Sequence, residues 1–163
     1  MKSPRINLVP MNAAQFAHYV EASIAPFAQD KIRSGQWPAT DALRLARESM
    51  EESLPLGLTT PDNYLYVMQD ALTKETVGML WIAAQTRGDA KVAYIYDIEV
   101  NAEHRRKGYA TAAFAALESR VQALGLSGIA LHVFGHNAEA QALYVKLGFQ
   151  TTNINMFKAL ASA

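Results

Sequence analysis

The stretch Ile98-Glu99-Val100-Asn101-Ala102-Glu103-His104-Arg105-Arg106-Lys107-Gly108-Tyr109-Ala110 runs from a strand end through a tight connection into a helix. A helix start presents unpaired backbone amides and the positive end of its macrodipole. Arg105, Arg106 and Lys107 therefore sit where each added positive charge costs roughly 0.3–1 kcal/mol if uncompensated. A pyrophosphate resolves the conflict, because amides and side chains both point at it, and Gly108 lets it approach the backbone where a Cβ would obstruct it. The other reading is a solvated turn with Glu103 as its counter-charge. The Walker pattern needs a Gly-Lys-Ser/Thr ending that is absent, and the glycine triplet of dinucleotide folds is missing because Gly108 stands alone.

Downstream, the spacing of Ala113, Phe114, Leu117, Val121 and Leu124 predicts a helix from about Lys107 to Leu124, with Gly125 at its stop. Ile129 to Phe134 reads as a strand, Asn137 to Leu147 as the last helix, and Phe149 to Phe157 as a closing strand. Upstream, Tyr64 to Gln69, Val77 to Ala84 and Val92 to Val100 are rich in β-branched and aromatic residues and predict an antiparallel meander. Ile6 to Val9 predicts a first strand. Asn12 then offers a cap to a helix with Phe16, Tyr19, Val20, Ile24 and Phe27 on its apolar face. Trp37-Pro38 interrupts, and a helix from about Thr40 carries Leu43, Leu45, Ala46 and Met50 before Pro55-Leu56-Gly57 ends it. The class is α/β with a mixed sheet. No repeat or linker divides the chain, so residues 1–163 read as one domain.

Composition narrows the function. A chain of 163 residues, half of them apolar, can bury one sizeable core. Fifteen basic and fifteen acidic side chains cancel, so no overall field draws the protein to nucleic acid or to an anionic membrane, and neither is expected as a partner. With no cysteine there are no disulfides, thiolate metal sites or cysteine nucleophiles, which fits a reducing compartment. The start, Met1-Lys2-Ser3-Pro4-Arg5-Ile6-Asn7, has no signal-peptide run, and no stretch approaches a membrane span, so a cytoplasmic location is expected. His132 and His136 lie on a strand and its exit rather than on one helix face, and no metal is expected.

A second motif spans Asn137-Ala138-Glu139-Ala140-Gln141-Ala142-Leu143-Tyr144-Val145-Lys146-Leu147-Gly148-Phe149. Asn137 can cap the helix, Ala140, Leu143 and Leu147 form an apolar stripe, and Gly148 ends it. Tyr144 lies seven residues, about two turns, from Asn137, so both can face one ligand running beside the helix; a core tyrosine is the alternative. The two segments together resemble the GNAT acetyltransferase superfamily. Arg105, Gly108 and Ala110 match its coenzyme A signature, Arg or Gln, two residues, Gly, one residue, Gly or Ala. Asn137, Ala140, Leu143-Tyr144 and Gly148-Phe149 match its other signature, and the two stand about 30 residues apart in the expected order.

The resemblance implies a mainly antiparallel sheet that splays between the strands carrying Val100 and Ile129, flanked by helices, with acetyl-coenzyme A as co-substrate. Ile98, Glu99 and Val100 look like the family's pantetheine-binding strand. Arg105, Arg106, Lys107, Gly108, Tyr109, Ala110 and Thr111 would surround the diphosphate, with Asn137, Ala140 and Tyr144 beside the thioester arm. The acceptor implied is an amine on a small molecule or peptide, and a homodimer is a further expectation. An amine with pKa about 10.4 must lose a proton before attacking. The departing sulfur needs one, which a phenol can give, and Tyr144 takes that role. Asp97 and His132 are the candidates for the base, through water. Some family members place a glutamate at the position of Tyr96 or of His132, and this chain departs from both. Strand alternation sets Asp97 and Glu99 on one face and Tyr94, Tyr96 and Ile98 on the other. Trp37, Trp81, Tyr64, Tyr66 and Asn155 are further candidates for an acceptor pocket. The competing reading is an acyl-coenzyme A sensor of the same fold that transfers nothing.

Overall fold

The computed structural model describes residues 3–162; Met1 and Lys2, read above for targeting signals, and Ala163 lie outside the described residues. Strand β1 (Ile6–Pro10) leads into helix α1 (Ala13–Arg33). The Asn12 side chain accepts from Gln15 N at 2.8 Å while the Gln15 side chain accepts from Asn12 N at 2.9 Å, a reciprocal cap that fixes where α1 begins. Helix α2 (Ala42–Ser53) follows, then the meander β2 (Asn63–Asp70), β3 (Thr76–Arg87) and β4 (Ala90–Val100). Helix α3 (Tyr109–Ala123), the short strand β5 (Ile129–Leu131) and helix α4 (Ala138–Lys146) complete the order.

The five strands form one sheet in sequence order, antiparallel throughout except that β4 and β5 run parallel. One face carries Met68, Val77, Leu80 and Ile82, all fully buried against Phe114 and Leu117 of α3. The other carries Leu65, Val67 and Trp81, packed on Tyr19 of α1. A chain whose strands alternate between two apolar faces needs helices on both, and α1 with α2 covers the second.

The structure corrects four local expectations. Pairing of β4 with β3 runs Ile82↔Ile95 and then Trp81↔Asp97, which leaves Tyr96 as the extra residue of a β-bulge. One added residue resets the alternation, so Tyr94 and Tyr96 join Asp97 on the α1 side. There the Tyr96 ring stacks on Trp81 at 4.4 Å and meets Tyr94 edge-on at 5.0 Å. Ile98 stays on the α3 side. Helix α3 begins at Tyr109 rather than Lys107, because Gly108 takes φ +86°, a left-handed value that cannot continue a helix. Strand β5 stops at Leu131, so His132 and Phe134 lie in the following loop. The closing strand over Phe149 to Phe157 is absent: residues 150–162 make no ladder and are exposed along their whole length. Their alternating pattern is genuine, but a strand also needs a neighbour.

Candidate active site

The site begins where the sheet opens. Strands β4 and β5 pair over only three positions, Ala93↔Ile129, Tyr94↔Ala130 and Ile95↔Leu131, and then part. Beyond the bulge no strand among the described residues lies along the β5-facing edge of β4 from Tyr96 to Val100, so the peptide groups there that face the opening, apart from the Val100 carbonyl held by Arg105, are available to a ligand. That is where the sequence reading set the split.

Asp97 stands at the top of this edge. The Tyr19 hydroxyl donates to its Oδ2 at 2.8 Å, reaching from α1 across 78 residues of sequence. Burial pushes the Asp97 carboxyl above the ordinary carboxylate range. The Tyr19 hydrogen bond opposes that shift, and the nearby negative charges of Glu99 and Asp30 add to it. The Tyr19 phenol is raised in turn, by burial and by Asp97 beside it, so it stays a donor. Tyr144 on α4 is half-buried, its ring edge-on to Phe114 at 5.8 Å and packed on Phe149 at 5.6 Å. Burial, and then the charge of Asp97, hold its phenol above the usual value, so it keeps its proton at neutral pH. Asp97 is thus a carboxyl with raised affinity for a proton, and Tyr144 a phenol that keeps one to give.

The remaining candidates divide. His132 is exposed, its ring edge-on to Phe134 at 5.0 Å. His136, not singled out as a site residue, contacts Asp30 Oδ1 through Nε2 at 3.0 Å and ties the loop after β5 to α1. Of the aromatics, Trp81 is buried with Nε1 donating to Asn63 Oδ1 at 2.9 Å. The Tyr66 hydroxyl accepts from Arg120 Nε at 2.9 Å on the α3 side, and Tyr64 packs against the same core. Trp37 packs edge-on to Phe27 at 5.4 Å, and Lys31 Nζ sits 5.3 Å from the Trp37 ring centroid. Asn155 lies in the exposed terminal segment. Sequence reading missed Tyr19 as a site residue, since its position on an apolar helix face gives no sign of a partner 78 residues away.

At the lower end of the opening the turn before α3 is built for an anion. No side chain caps α3; the first backbone bond there, Ala112 N to Gly108 O, leaves the amides of Tyr109, Ala110 and Thr111 without an intrahelical acceptor. Arg106 takes φ +61° and Gly108 φ +86°, two left-handed residues that bend the chain into a concave run of amides. Arg105 Nε donates to Val100 O at 3.1 Å, and its other guanidinium arm lies 3.6 Å from Glu99. Arg106 meets Glu139 of α4 at 2.8 Å, and Lys107 Nζ donates to Glu103 O at 2.7 Å. These pairs are exposed and therefore easily exchanged for a stronger anion. The Tyr109 hydroxyl turns away to Asp70 Oδ2 at 2.8 Å, leaving its backbone amide as the group at the turn. Asn137 accepts from Ala140 N at 3.3 Å, the cap that starts α4 alongside. The donor set, uncapped amides plus three cations around a glycine, fits a diphosphate.

The parallel strand pair that parts beside this uncapped, cationic helix start lies in a fold shared with acetyltransferases. The chain belongs to the Acetyltransferase (GNAT) family, whose model matches residues 29–149. YycN of Bacillus subtilis, described as an uncharacterized N-acetyltransferase, is 37% identical over 155 residues, covering 95% of this chain and 99% of that protein. The uncharacterized N-acetyltransferase YdgE of the same organism is 33% identical and covers 94% and 97%. The crystal structure of YycN superposes with a TM-score of 0.91 at 36% identity, over 96% of this chain and 99% of that one. AAC(6')-Iy, solved with the bisubstrate analogue CoA-S-monomethyl-acetylneamine, shares the fold with a TM-score of 0.61 at 16% identity, over 97% and 99%. No described helix is long and apolar enough to cross a membrane, and no cluster of metal-ligating side chains occurs among the described residues.

Proposed function

We propose that residues 1–163 act as one N-acetyltransferase domain that moves an acetyl group from acetyl-coenzyme A to a primary amine of a small molecule or peptide, by direct attack within a ternary complex. The observation that carries this reading is the parting of β4 and β5 beyond Ile95↔Leu131, next to the uncapped start of α3, with burial raising the proton affinity of both Asp97 and Tyr144. The amides of Tyr109, Ala110 and Thr111, with Arg105, Arg106 and Lys107, hold the diphosphate, and the unpaired edge from Ile98 to Val100 holds the pantetheine arm. The bisubstrate analogue bound by AAC(6')-Iy joins coenzyme A to an amine in a protein of this fold, which supports the same order of ligands here.

In the step itself the amine nitrogen bonds to the thioester carbonyl carbon and the carbon–sulfur bond breaks. Asp97, through water, takes the proton the ammonium sheds before attack; the attacking nitrogen gives up a second as the intermediate collapses, and that proton, relayed through water, replaces the one the Tyr144 hydroxyl gives to the departing sulfur. Asp97 is favoured over His132 because it lies at the opening with a raised proton affinity, whereas His132 is exposed beyond the end of β5. The test is thiol release over polyamines, aminoglycosides, amino acids and peptides with free N-termini. Tyr144→Phe should slow turnover about 10²-fold or more while leaving acetyl-coenzyme A binding near wild type. Normal turnover in that variant would remove the acid role. Tight binding of acetyl-coenzyme A with no turnover on any amine would mark a sensor instead.

A further inference from the structure

We infer that Phe27, Trp37 and Phe134 form an ammonium-binding box that takes a second cationic group of the acceptor, with Lys31 holding the place until that group arrives. Resting on the acetyl-transfer reading above, this gives the acceptor a class: amines that carry two positive charges. Lys31 Nζ lies 5.6 Å from the Phe27 ring centroid, 5.3 Å from that of Trp37 and 5.9 Å from that of Phe134. Aromatic rings gathered within about 6 Å of one ammonium make a cage that selects organic cations. The rings come from separate parts of the chain: α1, the turn that follows it, and the loop after β5. Each is only partly buried, so part of every ring stays in contact with solvent.

Lys31 is loosely held in this box. Its neighbour Asp30 is committed to His136 at 3.0 Å, and Nζ itself donates to the neutral Gln36 Oε1 at 2.8 Å, with no ion pair to a carboxylate among the described residues. The end of α1 does not need the side chain either, since Gln36 N and Trp37 N donate to the Lys31 carbonyl at 2.9 and 3.3 Å. An ammonium on a flexible stem, with only neutral contacts, can swing into water at little cost. An arriving ammonium then meets the same rings and the same amide oxygen.

The box stands at the opening. Phe134 follows just past Leu131, where β5 leaves β4, and its carbonyl accepts at 2.9 Å from Asn137 N, the cap of the helix that carries Tyr144. Phe134 also stacks on His136 at 5.3 Å, and the charge of Asp30, the partner of His136, is felt at Asp97. Asp30 and Asp97 thus lie with the box on the α1 side of the sheet. A dication suits both carboxylates, whereas an acceptor bearing its own carboxylate would meet them as like charges.

The test uses the full chain with saturating acetyl-coenzyme A, and compares α,ω-diamines from putrescine upward with amino alcohols of equal length, which lack the second charge. The best diamine should exceed its amino alcohol about tenfold in kcat/KM, chiefly through KM. Trp37→Leu and Phe134→Leu should each erase most of that ratio. Melting temperature identifies a ring variant that has unfolded, and the other ring then carries the comparison. Lys31→Ala vacates the box and should raise the ratio by roughly threefold more. Equal rates for diamines and amino alcohols, in the wild type and in Lys31→Ala, remove the box while leaving acetyl transfer intact. A ratio that survives loss of the rings also overturns the inference, as does one that Lys31→Ala lowers, since Lys31 would then meet the acceptor itself. If no amine releases thiol, the acetyl-transfer reading fails instead, and calorimetry judges the box. Cadaverine should bind Lys31→Ala and bind several-fold more weakly once Trp37→Leu is added; no binding to Lys31→Ala, or equal binding to both, overturns the inference.

Discussion

The hydroxyl of Tyr19 donates a 2.8 Å hydrogen bond to Oδ2 of Asp97, joining the middle of helix α1 to the first residue of β4 past its bulge. Because Asp97 is partly buried and no cation contacts it among the described residues, this neutral donor supports its carboxylate only partly, and the proton affinity of Asp97 stays high.

Asp97→Asn should therefore separate activity from stability. A carboxyl whose folded pKa exceeds its unfolded value favours the fold below the unfolded pKa and loses that contribution as pH rises through the folded one. At neutral pH the ionised Asp97 is a cost, so the amide, which can still accept from Tyr19, should raise the melting temperature at pH 7 and leave it little changed near pH 3. Turnover should fall about 10²-fold. The acidic limb of kcat/KM, lying above the ordinary aspartate value of about 3.9, should disappear. An unchanged limb would assign the base elsewhere, with His132→Ala the next variant to measure.

Where the chain's local signals agree, the sequence reading and the structure coincide. Asn12 and Gln15 fix the start of α1, the β-branched runs give the meander, and Asn137 with Gly148 brackets α4. The reading fails where a contact is remote or a phase shifts. Alternation counts in twos, and nothing in Tyr94-Ile95-Tyr96-Asp97 announces the extra residue that turns Tyr96 onto Trp81 and sets Asp97 beneath Tyr19. His136 and Asp30 are 106 residues apart, and only the folded chain brings them to 3.0 Å. The terminal strand fails for a different reason: its pattern specifies a conformation and says nothing about where its partner lies.

Tyr19→Phe should move the acidic limb in the opposite sense to its loss. Removing the donor withdraws an interaction that lowers the Asp97 pKa, so the limb should shift to higher pH and kcat at pH 6 should fall more than kcat at pH 8. A partly buried hydrogen bond to a carboxylate is worth roughly 1–3 kcal/mol, and chemical denaturation at pH 7 should register a loss of that size. A purely structural tyrosine would lower stability without moving the limb.

Arg106→Gly sets backbone strain against ligand binding. Arg106 holds φ +61°, which costs a side-chain-bearing residue of order 1 kcal/mol and costs glycine little. Its exposed ion pair with Glu139 contributes at most about 1 kcal/mol, so stability should change by less than about 1 kcal/mol. Acetyl-coenzyme A affinity should drop about tenfold, as expected for one charge-assisted phosphate contact, and should become less sensitive to salt. Calorimetric titration at two ionic strengths checks both.

Gly78→Ala tests how tightly β3 holds the strand that lines the opening. Gly78 pairs with Val100 on one side and Met68 on the other, and a Cβ built on it would collide with the Glu99 carbonyl oxygen and with Met68 Cε. The methionine tip can swing aside, but the carbonyl belongs to the backbone of β4 and moves only if the ladder shifts. Overpacking of this kind costs roughly 1–3 kcal/mol, and urea denaturation should show it. Met68 is itself fully buried, so Met68→Ala alone should cost about 2–5 kcal/mol, and if the β4 carbonyl sets the limit the two losses should add in the double variant. The displaced segment is Glu99 to Val100, whose carbonyl accepts from Arg105, so the KM for acetyl-coenzyme A should rise in parallel. A double variant clearly less destabilised than the sum of the two single losses would show that the side chain, and not the β4 backbone, sets the limit at this glycine.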